Sequence, residues 1–252
     1  MTAGLRVASF NIRNGRALDG RHSWPLRRRA TAAAIAALHA DVVGLQEVYW
    51  FQRRWLAERL PDYRAHGRGR DGGRRGEACP VLVRRATASV LGLETRWYGW
   101  PEDRPAQPLP GATARRIATL ARIGVAGIDG TVLVVSTHLD ERIEANRVRS
   151  AEQLATWLDL RGPVVVLGDL NAPPGSATLE VLEGAGLRDA LGPSAGGTAH
   201  SFTGVARGPR IDHVLVSAGV EVVGAGVAGP REGRLPSDHW PVWAEVRLPG
   251  GQ

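Results

Sequence analysis

A chain of 252 residues that is 43% apolar and 23% charged can bury a sizeable core and is too hydrophobic for a disordered polymer. Its net charge of +7 is compatible with anionic partners, but all 32 basic residues are arginine, so the excess reflects a bias of the whole chain. The single cysteine, Cys79, excludes an internal disulfide, and no apolar run approaches the ~18 residues of a membrane span.

No basic segment followed by a long apolar one opens the chain, so no signal peptide is expected and cytoplasmic is the default location. Leu5 to Ile12 alternates as a strand, closing on Ser9-Phe10-Asn11-Ile12-Arg13. Next, Ser23-Trp24-Pro25 starts a helix, with Ser23 as its cap and an apolar stripe of Leu26, Ala30, Ala33, Ala34 and Ala37. Asp41 to Val48 is a second strand, and Trp50 to Leu60 a helix stopped by Pro61. Residues 64–77 read as a loop of arginine and glycine ending at Glu77. Strands follow at 79–83 and 86–93. Residues 94–111, with Trp97, Tyr98, Trp100 and four prolines, read as an irregular insertion whose aromatics pack on the core.

Arg115 to Val125 and Thr131 to His138 are strands joined near Asp129-Gly130, a hairpin signal. Glu141 to Leu160 carries Ile143, Ala151, Leu154 and Leu158 at helical spacing. Val164 to Leu167 is a buried strand that runs into Gly168-Asp169-Leu170-Asn171 and is broken by Ala172-Pro173-Pro174-Gly175. A short helix is expected from about Ser176 to Gly184, with strands near 211–216, 219–227 and 240–247. No repeat or composition shift marks a boundary. Residues 1–252 are therefore expected to form one mixed α/β domain, most simply two packed sheets with helices outside.

Asp169 and Asn171, two positions apart, leave their strand on one face at its carboxyl end, where α/β folds place ligands. Such a pair suits holding a water or a metal, and equally an ordinary polar strand exit. Asn11, Glu47, and His138 with Asp140 end other strands in the same way, Asp212-His213 opens one, and Asp238-His239 precedes the last. Singly, each is a turn former, a cap or an interior histidine. Together they bury several acids, which is costly without a counter-charge, and a divalent cation would supply it. Carboxylates and amide oxygens without thiolates suit Mg²⁺, with Mn²⁺ or Ca²⁺ as the other fits. The chain has no His-x-x-x-His or Cys-x-x-Cys pair, no lysine for a P-loop and no Gly-x-Ser-x-Gly elbow, which leaves metal-assisted hydrolysis.

In order, Ser9-Phe10-Asn11-Ile12-Arg13, Leu45-Gln46-Glu47-Val48, Ser136-Thr137-His138-Leu139-Asp140, Gly168-Asp169-Leu170-Asn171, Arg210-Ile211-Asp212-His213-Val214 and Ser237-Asp238-His239-Trp240-Pro241-Val242 resemble the motifs of the endonuclease/exonuclease/phosphatase superfamily. The resemblance runs from residue 9 to 242 and implies a four-layer α/β sandwich, two facing mixed β-sheets flanked by helices. It implies Glu47 as the principal metal ligand, with Asn11 and Asp238 close to the metal or its waters. Asp169 would orient or deprotonate the attacking water, and Asn171 would hold that water or a phosphoryl oxygen. His239 would donate to a phosphoryl oxygen, with Asp212 fixing its tautomer. His138 is similar to the second catalytic histidine of the deoxyribonuclease branch, Glu77 to the acid paired with it, and Arg115 to a phosphate-contacting arginine. Two departures stand out. His200-Ser201-Phe202-Thr203-Gly204 replaces a common Thr-Phe-His-Gly, and His138 stands where abasic-site enzymes usually have tyrosine.

The implied activity is divalent-metal-dependent phosphodiester hydrolysis. Nucleic acid leads as the substrate because Arg64, Arg68, Arg70, Arg74 and Arg75 could grip phosphates on either side of the scissile one; a flexible, solvated loop is the other reading. Within the superfamily the alternatives are a phosphatase, or a phospholipid or sphingomyelin phosphodiesterase with Trp97, Tyr98 and Trp100 at a membrane interface. Outside it, the alternative is a catalytically inactive phosphate-binding scaffold. A monomer is expected.

Overall fold

Runs of valine, isoleucine and leucine pair into two sheets, each of six strands among the residues described by the computed structural model, 4–205, 207–229 and 233–249. In the first sheet β1 (Gly4–Asn11) lies between β2 (Val42–Gln46), parallel to it, and β12 (Val242–Arg247), antiparallel. Beyond β2 come β4 (Val81–Arg84) and the edge strand β3 (Tyr63–His66); beyond β12 comes β11 (Glu221–Val227). The second sheet runs β5 (Ala88–Trp97), β6 (Ile117–Val125), β7 (Thr131–His138), β8 (Val164–Asp169), β10 (Asp212–Ser217) and β9 (Leu187–Asp189). Only β7 and β8 are parallel neighbours in it.

Period-two alternation divides each strand between two cores. Val7, Val42, Val165, Leu167, Val214 and Val242 meet between the sheets. On the outer face of the first sheet, Phe10, Val43 and Leu45 pack under helices α1 (Trp24–Ala37) and α2 (Trp50–Arg59). On the outer face of the second, Val135, Val166 and Leu215 pack under α3 (Glu144–Trp157) and α4 (Ala177–Gly184). The result is a four-layer α/β sandwich. A strand buried on both faces has no polar side, which is why β8 reads as an unbroken apolar run.

The sheets approach closely just below the rim where the polar strand ends lie. At Gly44 of β2, a Cβ would stand 2.7 Å from the Leu167 Cβ and 3.0 Å from the Ser136 Oγ. Ser136 Oγ crosses the gap to donate to the Leu45 carbonyl at 3.2 Å. Gly44→Ala is therefore expected to lose about 1–3 kcal/mol of stability through overpacking. In urea titrations this would read as a lower midpoint at an unchanged slope.

Several expectations change. The buried face of α1 is Trp24, Arg27, Thr31, Ala34 and Ile35, whereas Leu26 and Ala33 are exposed. Ser23 makes no side-chain cap bond. Residues 94–111 begin as strand, because Glu94–Trp97 continue β5 and pair with Ile117–Leu120. Trp97 and Tyr98 are buried as expected, but Trp100 is 82% exposed. Among the described residues no helix is long and apolar enough to cross a membrane.

The arginine-glycine segment is a built loop. Its amides close on its own carbonyls, Gly69 on Gly73 at 2.9 Å and Arg70 on Glu77 at 2.8 Å. A Cβ at Gly69 would lie 2.0 Å from the Arg75 carbonyl oxygen, so only glycine fits where the loop crosses itself. Trp97 Nε1 donates to the Arg70 carbonyl at 2.7 Å, and Arg115 pairs with Asp71 at 3.0 Å. These contacts pin the loop to the second sheet.

Candidate active site

Strand register brings the polar residues together. Because β1 and β2 are parallel and Asn11 pairs with Gln46, Asn11 and Glu47 emerge side by side. In the other sheet His138 pairs with Asp169, and Asp169 with Asp212, which sets three functional side chains abreast on β7, β8 and β10. Since β12 runs antiparallel to β1, the turn before it, Ser237-Asp238-His239, lies at the exit of β1. Arg27 fixes that junction from α1: its buried guanidinium donates to the carbonyls of Ile12, Arg13 and Pro236, tying the two loops together without any carboxylate partner. Burial lowers its pKa to about 10, still high enough to keep the charge.

Asn11 bridges the two halves. Its Nδ2 lies 2.9 Å from Glu47 Oε1 and 2.8 Å from Asp169 Oδ2, while its Oδ1 accepts from the Arg13 amide at 2.9 Å. Facing two carboxylates, the amide must present its donor. The oxygen that would ligate a cation is thus turned to the backbone, and Asn11 stands beside the acids as a bridge.

Glu47 sits at φ 62° just past β2, and its other oxygen accepts from the Asn14 amide at 2.8 Å. Burial pushes its carboxyl up, but the bonds from Asn11 and Asn14, with Arg13 and His239 nearby, hold it below the usual carboxylate range. Asp169 is 2% exposed. Burial and the neighbouring Asp212 push it up to about 7, with His239 and Asn11 opposing. The Asn171 amide donates to its Oδ1 at 3.0 Å.

His239 Nδ1 faces Asp212 Oδ2 at 2.8 Å and Asp169 Oδ2 at 4.0 Å. Burial alone would lower its pKa, but Asp212, then Asp169 and Asp238, raise it to about 10, so the ring is an imidazolium. His138 is the opposite case. Burial, then Arg116 and His239, hold it well below its ordinary value. Its Nε2 lies 3.0 Å from Asn171 Nδ2 and 3.5 Å from Asp169 Oδ2. Two histidines on one rim are thereby kept in different charge states.

The remaining residues depart from the sequence reading. Glu77 pairs with Arg70 at 2.6 Å and makes no hydrogen bond or ion pair with His138. Asp238 Oδ2 lies 3.5 Å from Arg13, whose guanidinium is held by Asp19 at 3.0 Å. Arg115 is held by Asp71 and the Ala106 carbonyl. Its neighbour Arg116, only 8% exposed and ion-paired with Glu141, lines the recess beside His138 together with Arg70 and Arg115. Sequence reasoning missed Arg116, and nothing in two adjacent arginines before a strand would have singled it out. Asp140 caps the start of α3 through the amides of Arg142 and Ile143. His213 is buried between Asp189 and the Ala172 carbonyl.

The donor set fits a hard divalent cation. Glu47 and Asp169 face each other across one amide nitrogen, and Asp212 Oδ1 is buried with no hydrogen-bond partner. Asp169, Asp212 and His239 converge within 4.8 Å of one another, the two carboxylates as possible donors and the imidazolium as the partner of Asp212. Cys79, its thiol pushed up to about 12 by burial, is no competing soft ligand.

Three comparisons bear on this arrangement. The family described as Endonuclease/Exonuclease/phosphatase matches residues 8–239. An endonuclease/exonuclease/phosphatase from Bacteroides vulgatus is 29% identical, with 98% of this chain and 99% of that one covered and a TM-score of 0.91. A mannosyl-6-phosphatase from Bacteroides thetaiotaomicron is 27% identical, with 97% and 100% covered and a TM-score of 0.88. TDP2 of D. rerio, complexed with a single-strand DNA product, shares the fold at 19% identity, with 98% and 100% covered and a TM-score of 0.75. A search of curated protein sequences gave no match.

Proposed function

The chain belongs to the Endonuclease/Exonuclease/phosphatase family, and we propose that it is a divalent-metal-dependent phosphodiesterase acting on nucleic acid as a one-domain monomer. The observation that carries this reading is the acid poised near neutrality, Asp169, beside an imidazolium, His239, that a second acid holds in place. Asp169 takes the proton of the attacking water, a task for which a pKa near the working pH is the best match. Asn171, tethered to His138, positions that water. His239 donates to a non-bridging phosphoryl oxygen as charge builds there, and Asp212 keeps the donating nitrogen, Nε2, turned outward. Arg116 and Arg70 line a recess beside His138, from which their charge acts on the phosphate. Glu47 would hold the cation, with Asn11 bridging that ligand to Asp169 and Asp238 near the cation's waters; when bound, the cation neutralises charge on the phosphoryl oxygens.

Phosphomonoester hydrolysis is the second reading, favoured by the likeness to the mannosyl-6-phosphatase. The two are separated by assaying bis-p-nitrophenyl phosphate and p-nitrophenyl phosphate in Mg²⁺ or Mn²⁺ against EDTA, with DNA and RNA strands alongside. Diester cleavage lost in EDTA and restored by either ion is expected. Monoester cleavage alone would favour the second reading, and no turnover of any substrate would leave an inert scaffold.

A further inference from the structure

Beside the site runs a groove lined by arginine without a single acid. It lies between α2 and the arginine-glycine loop, and its volume of about 690 Å³ is that of a ligand-sized cleft. Val48 and Ala78, which bridge to each other and directly follow Glu47 and Glu77, line its inner end. Ala78 also lines the recess at His138, so the groove and the site share a wall residue.

Among the described residues, Arg53, Arg54, Arg64, Arg74 and Arg85 line the groove, and no aspartate or glutamate does. Across the chain the ratio of basic to acidic residues is 32 to 25, so five to none goes well beyond the arginine bias. Arg54 has one weak acidic neighbour, Glu58 at 3.7 Å in solvent. Arg53 donates to the carbonyls of Gly67 and Ala65. Arg64, Arg74 and Arg85 are exposed and form no ion pair among the described residues. Their field is felt locally. After burial, it is Arg64, Arg53 and Arg85 that lower the His66 pKa, and Arg74 acts likewise on Arg53. Like charges held together on a fixed loop and helix oppose folding slightly, and they attract a chain of anions. Trp50 stands on the same wall, 45% exposed, its ring meeting Phe51 edge-on at 6.4 Å. Arginines tracking a backbone with an exposed aromatic among them form the combination that grips an unpaired strand, since a duplex offers no free base face.

We propose that this groove binds single-stranded nucleic acid running out of the active site, with phosphates on Arg64, Arg74 and Arg85 and a base stacked on Trp50. The assignment rests on the phosphodiesterase reading and extends it to the form of the substrate.

The test is fluorescence anisotropy of a labelled oligothymidylate on the whole protein in EDTA, across a salt series. The variants are Arg64→Ala/Arg74→Ala/Arg85→Ala, the corresponding triple lysine variant, and Trp50→Ala, each checked by its thermal melt. Three phosphate contacts contribute a slope of about −2 in log K against log salt, at about −0.7 each. The triple alanine variant should lose that slope and at least tenfold in affinity, while the triple lysine variant keeps the slope. Trp50→Ala should weaken binding about tenfold at an unchanged slope. Wild-type affinity in the triple alanine variant would overturn the proposal. So would duplex bound as tightly as single strand with no effect of Trp50→Ala, or anionic phosphatidylserine vesicles bound in preference to both. Failure of the wild type to cleave bis-p-nitrophenyl phosphate, with strand binding intact, would instead sink the phosphodiesterase reading alone.

Discussion

Asp169→Asn is expected to lower kcat/KM on bis-p-nitrophenyl phosphate by about 10³-fold, within the 10²–10⁴ range for a general base. The same substitution should change how stability depends on pH. In the cation-free protein Asp169 titrates near 7, against an ordinary value of 3.8, because it is buried beside Asp212. Between those pH values the folded protein holds a proton that the unfolded chain has released. Wild-type stability therefore falls as pH rises from about 4 to about 7, and stays at the lower level above that. Asparagine carries no such penalty. The melting temperature of the variant minus that of the wild type should rise across this interval. A difference that is flat in pH would show that Asp169 titrates normally, and near-normal turnover would remove it from the reaction.

The second large effect concerns His239. His239→Ala should cost about 10²–10⁴-fold in kcat/KM at neutral pH, and Asp212→Asn should move the alkaline limb of the profile to lower pH. His239 is raised to about 10 against the lowering effect of burial, chiefly by Asp212, so the wild type keeps its donor proton well above neutrality. Without that carboxylate, burial dominates and the proton is lost earlier. The linkage has the opposite sign to that of Asp169. The His239–Asp212 pair stabilises the fold fully below the ordinary histidine value of 6.5, and this contribution is lost as pH rises through about 10. A kcat/KM profile for Asp212→Asn that overlays the wild type would refute the pairing as the source of the shift.

How much could be read beforehand follows from what each residue contacts. Val164–Asp169 was plain because a strand buried on both faces leaves an unbroken apolar run, and the acid that ends it marks the rim. The edge strands Tyr63–His66 and Leu187–Asp189 were not, since four and three residues of mixed polarity carry no alternation. The face of α1 departs from its apolar pattern for a related reason. Arg27 and Thr31 occupy core-facing turns, where their polar groups meet carbonyls of two loops that no local pattern reveals. At the site, the ordered motifs named the residues that gather there, but partners and orientation needed coordinates. Which atom of Asn11 faces the acids depends on two carboxylates from distant strands. The choice of Arg70 for Glu77 depends on how the arginine-glycine loop folds back. Adjacent residues at a strand entrance point to opposite sides, so Arg115 and Arg116 could not be told apart by position alone.

The last strand to be made, β12, lies against the first, and His239 sits just ahead of it. Asn11 and Glu47 come from β1 and β2, whereas the imidazolium arrives only with the segment that pairs on the other edge of β1. A chain without residues 237–247 would keep Asn11, Glu47, His138, Asp169 and Asp212 but lack the proton donor and the edge that covers β1. Closure of β12 onto β1 therefore completes the first sheet and the site in one step, and fold and chemistry fail together when that pairing is lost.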